Sequence, residues 1–417
     1  MLSACNNDKK TEQTETVNLD SKFENYKNTF IEEIWRLNPG WATGSGYHKF
    51  DSILEIPNAE LRAAKLQAFS IIMDSIKSYD ENKLNSSNKI SLWMMRDQVD
   101  ASMWYINMFK GHEWDAANYN VGGSFADILN GTYDKLENRL HSINLKLNGV
   151  ADYYKAARES MKNPTLEHVE LSIIQNNGSI SIFKESIIDS VKKSSLSEEE
   201  KKEITTKSEA AKAAIEAHIE WLNELKKAIT PETARSFRIG KELYDQKFKH
   251  DIQSRYTAEE IYNRALKRKT ELHSEMGKLS AQLWKKYFKD KPAPADTLAM
   301  IRIMIDELSG QHVHRDALLS SIDKQIPELV KFINDKNLIY IDPSKPLVVR
   351  KTPDYMEGGG AGASINAPGP YEKNANTYYN VSLLTNYSEK DAESYLREYN
   401  KYILQILNIH EAIPGHY

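Results

Sequence analysis

Cysteine is almost missing from this sequence: Cys5 is its single thiol, so no internal disulfide can form. Long apolar runs are missing too. No stretch of 18 apolar residues occurs, so nothing in the sequence reads as a membrane span. Proline (13) and glycine (18) are sparse over 417 residues, which favours helix over turn-rich β structure. Neither sign of charge dominates. Lys+Arg 55 against Asp+Glu 59 leaves a net charge of −4, without the basic stripe that nucleic-acid binding requires. The apolar fraction of 40% and charged fraction of 27% are those of an ordinary globular chain and exclude global disorder.

The setting of the cysteine carries information. Leu2-Ser3-Ala4-Cys5 reads as a lipobox, in which small residues precede a cysteine that is cut and acylated. Residues 6–20 are polar and suit a disordered tether. The charged and apolar regions of a signal peptide do not precede the box, so an earlier start codon or a trimmed chain is expected. The lipobox implies a protein lipid-anchored to the bacterial cell envelope, periplasmic or at the surface, with Cys5 as the lipidation site. A chance match of four residues is the alternative.

Residues 21–336 read as a helical body. Phe23, Tyr26, Phe30 and Ile34 recur at helical spacing, as do Leu92, Met95, Val99 and Met103. Tyr133 to Lys162 reads as one long amphipathic helix. Ser197 and Thr257, each followed three residues later by glutamate, mark helix starts. Helix is expected again from Asp296 to Lys336. Trp93, Trp104, Trp221 and Trp284 lie in helical patterns and are expected in the core, and Lys201–Lys227 should present a solvated charged face.

Residues 337–417 differ in texture. Leu338–Ile341 and Leu347–Arg350 are short β-type runs. Gly358–Gly362 is a flexible stretch, and Asn376–Leu383 alternates like a strand. A last helix is expected from Ser388 to the end. The Asn376–Leu383 strand is a candidate edge for pairing with an extended peptide, and the glycine run a candidate flap. Tyr378 and Tyr379 point to opposite faces of that strand, so one is available to donate to an oxyanion in a cleft. Tyr378, Tyr379 and Asn380 are therefore the candidate substrate-binding residues. A plain hairpin with a mobile loop is the alternative.

The chemistry concentrates in His410-Glu411-Ala412-Ile413-Pro414-Gly415-His416. A histidine followed by glutamate on a helix begins the zincin pattern, where two histidines bind Zn2+ and the glutamate serves as general base toward water. Here position i+4 is Pro414, and His416 at i+6 lies on the wrong face of an ideal helix. Pro-Gly disrupts the helix and leaves room for His416 to swing back. The alternative is a histidine favoured by the helix dipole, followed by a Pro-Gly stop. His312 and His314, the pair His112-Glu113, the loop carboxylate Glu357, and His48 are weaker candidates; solvated or hydrogen-bonding roles suit them better.

This seven-residue motif resembles that of the DUF885 family, His-Glu-x-x-Pro-Gly-His. Other segments resemble the family in the same order: Pro39-Gly-Trp41-Ala-Thr43 with Gly46-Tyr-His48 and Asp51, Phe237-Arg-Ile-Gly240 with Tyr256-Thr-Ala-Glu-Glu, and Tyr378-Tyr-Asn-Val. The resemblance implies a mainly α, zincin-like fold: a large helical gluzincin-type body, similar to M3-type peptidases, with a small β-sheet beside the motif helix. It implies a zinc-dependent hydrolase of peptide bonds, with His410 and His416 as metal ligands and Glu411 as general base. The third ligand is expected from a Glu-Gly-Trp-like segment after the motif. The chain ends at Tyr417, so an incomplete site, weak or absent zinc and no activity are expected of it. An inactive helical lipoprotein that binds peptides, or a structural one, is the rival reading.

Overall fold

A computed structural model describes residues 18–417, apart from 231, 346, 354, 355, 357–361, 373 and 374. Cys5, residues 6–17 of the tether, Glu357 and residues 358–361 of the glycine run lie outside the described residues, whereas residues 18–20, expected in the tether, begin the first helix, with Asn18 capping Leu19–Leu37. The protein is mainly helical, at 70% helix, with one small three-stranded sheet.

The helical body packs around two large apolar cores, with two smaller clusters, one around Val169 and Leu222 and one around Trp284 and Met304, among the described residues. One joins Phe23, Phe30 and Ile34 of the helix Leu19–Leu37 to Phe69 and Ile76 of Ala59–Lys77, and to Leu92 and Val99 of Ser86–Trp104. The other gathers Phe125, Leu140, Ile143, Tyr154, Phe183 and Ile215, with the long helix Glu198–Ala228 as its spine. Each such side chain contributes roughly 1.5–3 kcal/mol when fully buried. Both expected capping boxes are present, Ser197 with Glu200 and Thr257 with Glu260.

Several local expectations need correction. Tyr133–Lys162 is not one helix: Leu136–Leu147 and Val150–Ser160 are separated at Asn148–Gly149. The stretch from Asp296 breaks after Ser309 and resumes at Leu318, with Pro327 inside the second helix. Residues 338–341 form no strand. Trp284 is buried, but Trp93 is 49% exposed and donates to Glu81 from the surface.

The strands are β1 (Leu347–Lys351), β2 (Ala363–Asn366) and β3 (Thr377–Val381). Their order is β1-β3-β2, with β1 parallel and β2 antiparallel to β3. The pleat sorts the sheet into two unlike faces. Val349, Tyr379, Val381, Ala363 and Ile365 form an apolar face on the helix Leu318–Lys336 and the chain end, in a third core that includes Leu396, Leu404, Ala412 and Ile413. Arg350, Tyr378, Asn380, Ser364 and Asn366 lie on the other, polar face.

Candidate functional site

The last helix is not continuous as expected. Glu389–Glu398 ends, Asn400 caps a new start by accepting from the Tyr402 and Ile403 amides, and Lys401–Leu407 leads into a wider π turn at Asn408–Ala412. A helix end leaves carbonyls without partners. Here the chain folds back onto them: the amides of Ile413, Gly415, His416 and Tyr417 donate to the carbonyls of Asn408, Ile409, His410 and Ala412 at 3.0–3.1 Å. Pro414, preceded by a cis peptide, has no amide to place. Buried Ala412 and Ile413 anchor the turn in the third core.

This fold-back removes the objection from ideal helical geometry. The His410 and His416 rings stand 4.9 Å apart between centroids and nearly perpendicular, at 87°. Ligand atoms of His410, Glu411 and His416 all lie within 4.8 Å of one another, and among the described residues this is the one cluster of histidines, cysteines and acids so gathered. Glu411 Oε1 is 3.8 Å from His410 Nε2. His410 and His416 are exposed and Glu411 half-buried, so the cluster opens to solvent.

A clamp beneath the turn was not legible in the sequence. Tyr379 donates to Asn408 Oδ1 at 2.9 Å, and Asn408 donates to Gln325 Oε1 at 2.8 Å, fixing the turn to β3 and to the helix Leu318–Lys336. Burial, reinforced by the Glu411 carboxylate, holds the Tyr379 phenol above its ordinary pKa, so it remains a donor. Asn408 carries no pattern that distinguishes it from any polar helix residue.

The three candidate substrate residues do not form an edge, because β3 is the central strand and its backbone is paired on both sides. Tyr379 is fully buried and committed to Asn408 rather than to a cleft. Asn380 is also fully buried. It accepts from Arg350 Nε at 2.7 Å and donates to Asn366 Oδ1 at 2.5 Å, so it ties the three strands together. Tyr378 is half-buried under the Arg350 guanidinium, 3.9 Å from its ring centroid, on the polar face.

The other histidines are engaged elsewhere. His312 pairs with Glu393 at 3.0 Å, and His314 caps the turn Arg315–Ala317. Glu113 is held by Lys162 at 2.7 Å. His48 shares Nδ1 with Asp51 at 3.0 Å, the hydrogen-bonding role expected for it.

Among functionally curated proteins no match is found. A candidate lipoprotein of unknown function from Shewanella oneidensis is 45% identical and superposes with a TM-score of 0.77, over 95% of this chain and 71% of that one. A candidate lipoprotein from Colwellia psychrerythraea, 14% identical, shares the fold with a TM-score of 0.67, over 96% of this chain and 72% of that one. Residues 39–417 match DUF885, described as bacterial proteins of unknown function, across nearly the whole helical body, the sheet and the His-Glu turn. The chain belongs to the DUF885 family.

Proposed function

We propose that this chain carries the metal-binding turn of a zincin-like, zinc-dependent hydrolase of peptide bonds, attached to the bacterial cell envelope by lipid. The convergence of His410, Glu411 and His416 supports this reading above all. His410 and His416 fit the ion by chemistry, because imidazole is an ordinary zinc ligand. Their ligand atoms lie within 4.8 Å of one another, so side-chain adjustment alone would let both imidazoles reach one ion. When bound, zinc supplies a Lewis acid and makes water acidic enough to ionise near neutral pH. His410 and His416 would hold the ion, and Glu411 would accept the proton from the attacking water and return it to the leaving amine. The third ligand expected after the motif stays part of the proposal.

The substrate-pairing strand in this reading moves from β3 to β2. β2 lies against the motif turn, and its outer side pairs with no strand among the described residues. An extended peptide added there makes main-chain hydrogen bonds with little demand on its sequence. The description of both solved relatives as candidate lipoproteins supports the envelope location, and no helix among the described residues is long and apolar enough to cross a membrane.

Glu411→Gln is expected to retain zinc while lowering whatever peptide-cleaving activity the zinc-loaded protein has by at least ~100-fold. Cleavage that survives this substitution contradicts the mechanism. One observation favours a silent peptide-binding protein as the second reading: neither the His410 nor the His416 ring is hydrogen-bonded among the described residues, whereas catalytic metal ligands are ordinarily oriented by such bonds. Peptide binding unchanged by Glu411→Gln, without cleavage by the wild-type protein, would establish that reading instead.

A further inference from the structure

A cavity of about 600 Å³ opens in the helical body, at the seam between its two large cores. Phe69 and Ile106 on its wall belong to the first core, and Tyr153 packs on the second. This is the size of a pocket for a small organic molecule. Leu61, Arg62, Lys65 and Phe69 reach it from one face of the helix Ala59–Lys77. A second wall comes from a departure from regular helix. Ser86–Trp104 runs into a π turn, Tyr105–Phe109, and Lys110 follows in the left-handed conformation at φ +51°. Such irregularities are common where a chain holds a ligand. The helix Lys241–Ile252 braces this wall from outside: Trp104 donates to Gln246 Oε1 at 2.8 Å and Tyr105 to Asp251 Oδ1 at 2.5 Å.

The charges on the wall do not cancel. Glu55 and Lys65 pair at 2.6 Å. Asp115 accepts from the Ala117 amide at 3.1 Å and lies 3.8 Å from His168 Nε2. Arg62 is half-buried and has no acidic partner among the described residues. Its Nη1 donates to the Pro57 carbonyl at 2.8 Å and to Ser160 Oγ at 3.2 Å, while Nε and Nη2 bond to no described residue. Those two nitrogens form the edge of a guanidinium that takes a carboxylate through two parallel bonds. His112, also on the wall, adds no second positive charge at pH 7, because burial and then the Arg62 charge lower its pKa. One unanswered cation matches a monoanion. A doubly charged phosphate would leave an excess of negative charge beside Glu55 and Asp115.

The remaining wall is apolar and largely aromatic. Leu61, Phe69, Ile106 and Phe109 line it, together with Tyr119 and Tyr153. The two phenol hydroxyls are spent on the carbonyls of His112 and Asn118, at 2.8 and 3.4 Å, so these residues offer rings rather than oxygens. A flat ring makes offset and edge contacts with such a surface.

We propose that this cavity binds a small aromatic carboxylate, its carboxylate on the Nε and Nη2 edge of Arg62 and its ring against Phe69 and the π turn. No described residue lining it belongs to the sheet or to the His-Glu turn, so the site does not depend on the metal reading.

The test is calorimetric titration of the full chain with benzoate, 3-phenylpropionate and indole-3-propionate, each beside its amide, and with acetate. At least one aromatic acid is expected to bind saturably below about 1 mM, with its amide and acetate each weaker by at least about tenfold. In Arg62→Gln the acid should bind no better than the amide, and in His410→Ala binding should match wild type. An amide or acetate held as tightly as the acid, no saturable binding of any of the three acids up to about 10 mM, an unchanged acid affinity in Arg62→Gln, or binding that His410→Ala abolishes would each overturn the proposal. Matched circular dichroism and melting temperature show that Arg62→Gln is folded; the contrast of acid with amide in the wild-type protein decides the matter without it.

Discussion

Gly415→Ala is expected to lower zinc affinity by at least ~100-fold while leaving the melting temperature of the protein nearly unchanged. A Cβ at this position would lie 1.8 Å from the His410 carbonyl oxygen, 2.5 Å from its carbon and 2.7 Å from the Ile409 oxygen. These are backbone atoms of the π turn, and Ala412 and Ile413, buried in the third core, keep that turn from retreating. The terminal segment must therefore lift away, breaking the bonds from the Gly415 and His416 amides to Ile409 and His410 and carrying the His416 ring with it. The two large cores of the helical body do not include this segment, which limits the damage to the site. A competition titration against a zinc chromophore measures the effect. Wild-type affinity in Gly415→Ala would show that the fold-back does not create the site.

The second large effect concerns acid stability. His218 is 1% exposed in the helix Glu198–Ala228, against Tyr154 at 4.6 Å and stacked on Trp221 at 5.5 Å, and neither of its nitrogens has a hydrogen-bond partner among the described residues. Burial, with the Arg158 charge adding to it, lowers its pKa to about 3, against roughly 6.5 in the unfolded chain. The unfolded state therefore takes up a proton that the folded state refuses. The contribution to stability is fully present above pH ~6.5 and is lost as the pH falls from there toward 3. Between pH 7 and 4.5 the loss from this one group amounts to about 2–3 kcal/mol. Asp127, raised to about 6 by desolvation, contributes in the opposite direction, its stabilisation fading as the pH rises through 4 to 6. The difference between wild type and His218→Leu isolates the histidine, because the carboxylates are common to both. Urea unfolding is expected to show the variant as stable as wild type at pH 7 or more so, since two unsatisfied nitrogens are gone, and less sensitive to acid by that amount. Parallel pH profiles would contradict the assignment.

What was legible in the sequence was local. Ser197 and Thr257 announced their helices because a capping box lies within four residues, and the runs at Leu347 and Thr377 announced strands by composition. Sheet order was not legible: nothing in Thr377–Val381 says which strands will flank it, so β3 read as an edge and is the centre. The apolar period continues across Asn148–Gly149 and concealed a break between two helices. Trp93 has a helical pattern around it yet faces outward. At the His-Glu turn, Pro-Gly signalled a departure from helix but not its direction, which is set by carbonyls of the π turn capturing later amides. A cavity lined by His48, Glu372 and Arg350 joins residues far apart in the chain. Close approaches at Gly46 and Gly369, invisible in one dimension, let the segment bearing Glu372 lie on the segment bearing His48.

Zinc titration of metal-free protein tests the central claim most directly. For a chain that carries the third ligand expected after the motif, one equivalent is expected to bind at zinc concentrations of about the micromolar range, retained in Glu411→Gln and lost in both His410→Ala and His416→Ala. The same single equivalent, held as tightly by a chain lacking both imidazoles, would contradict it.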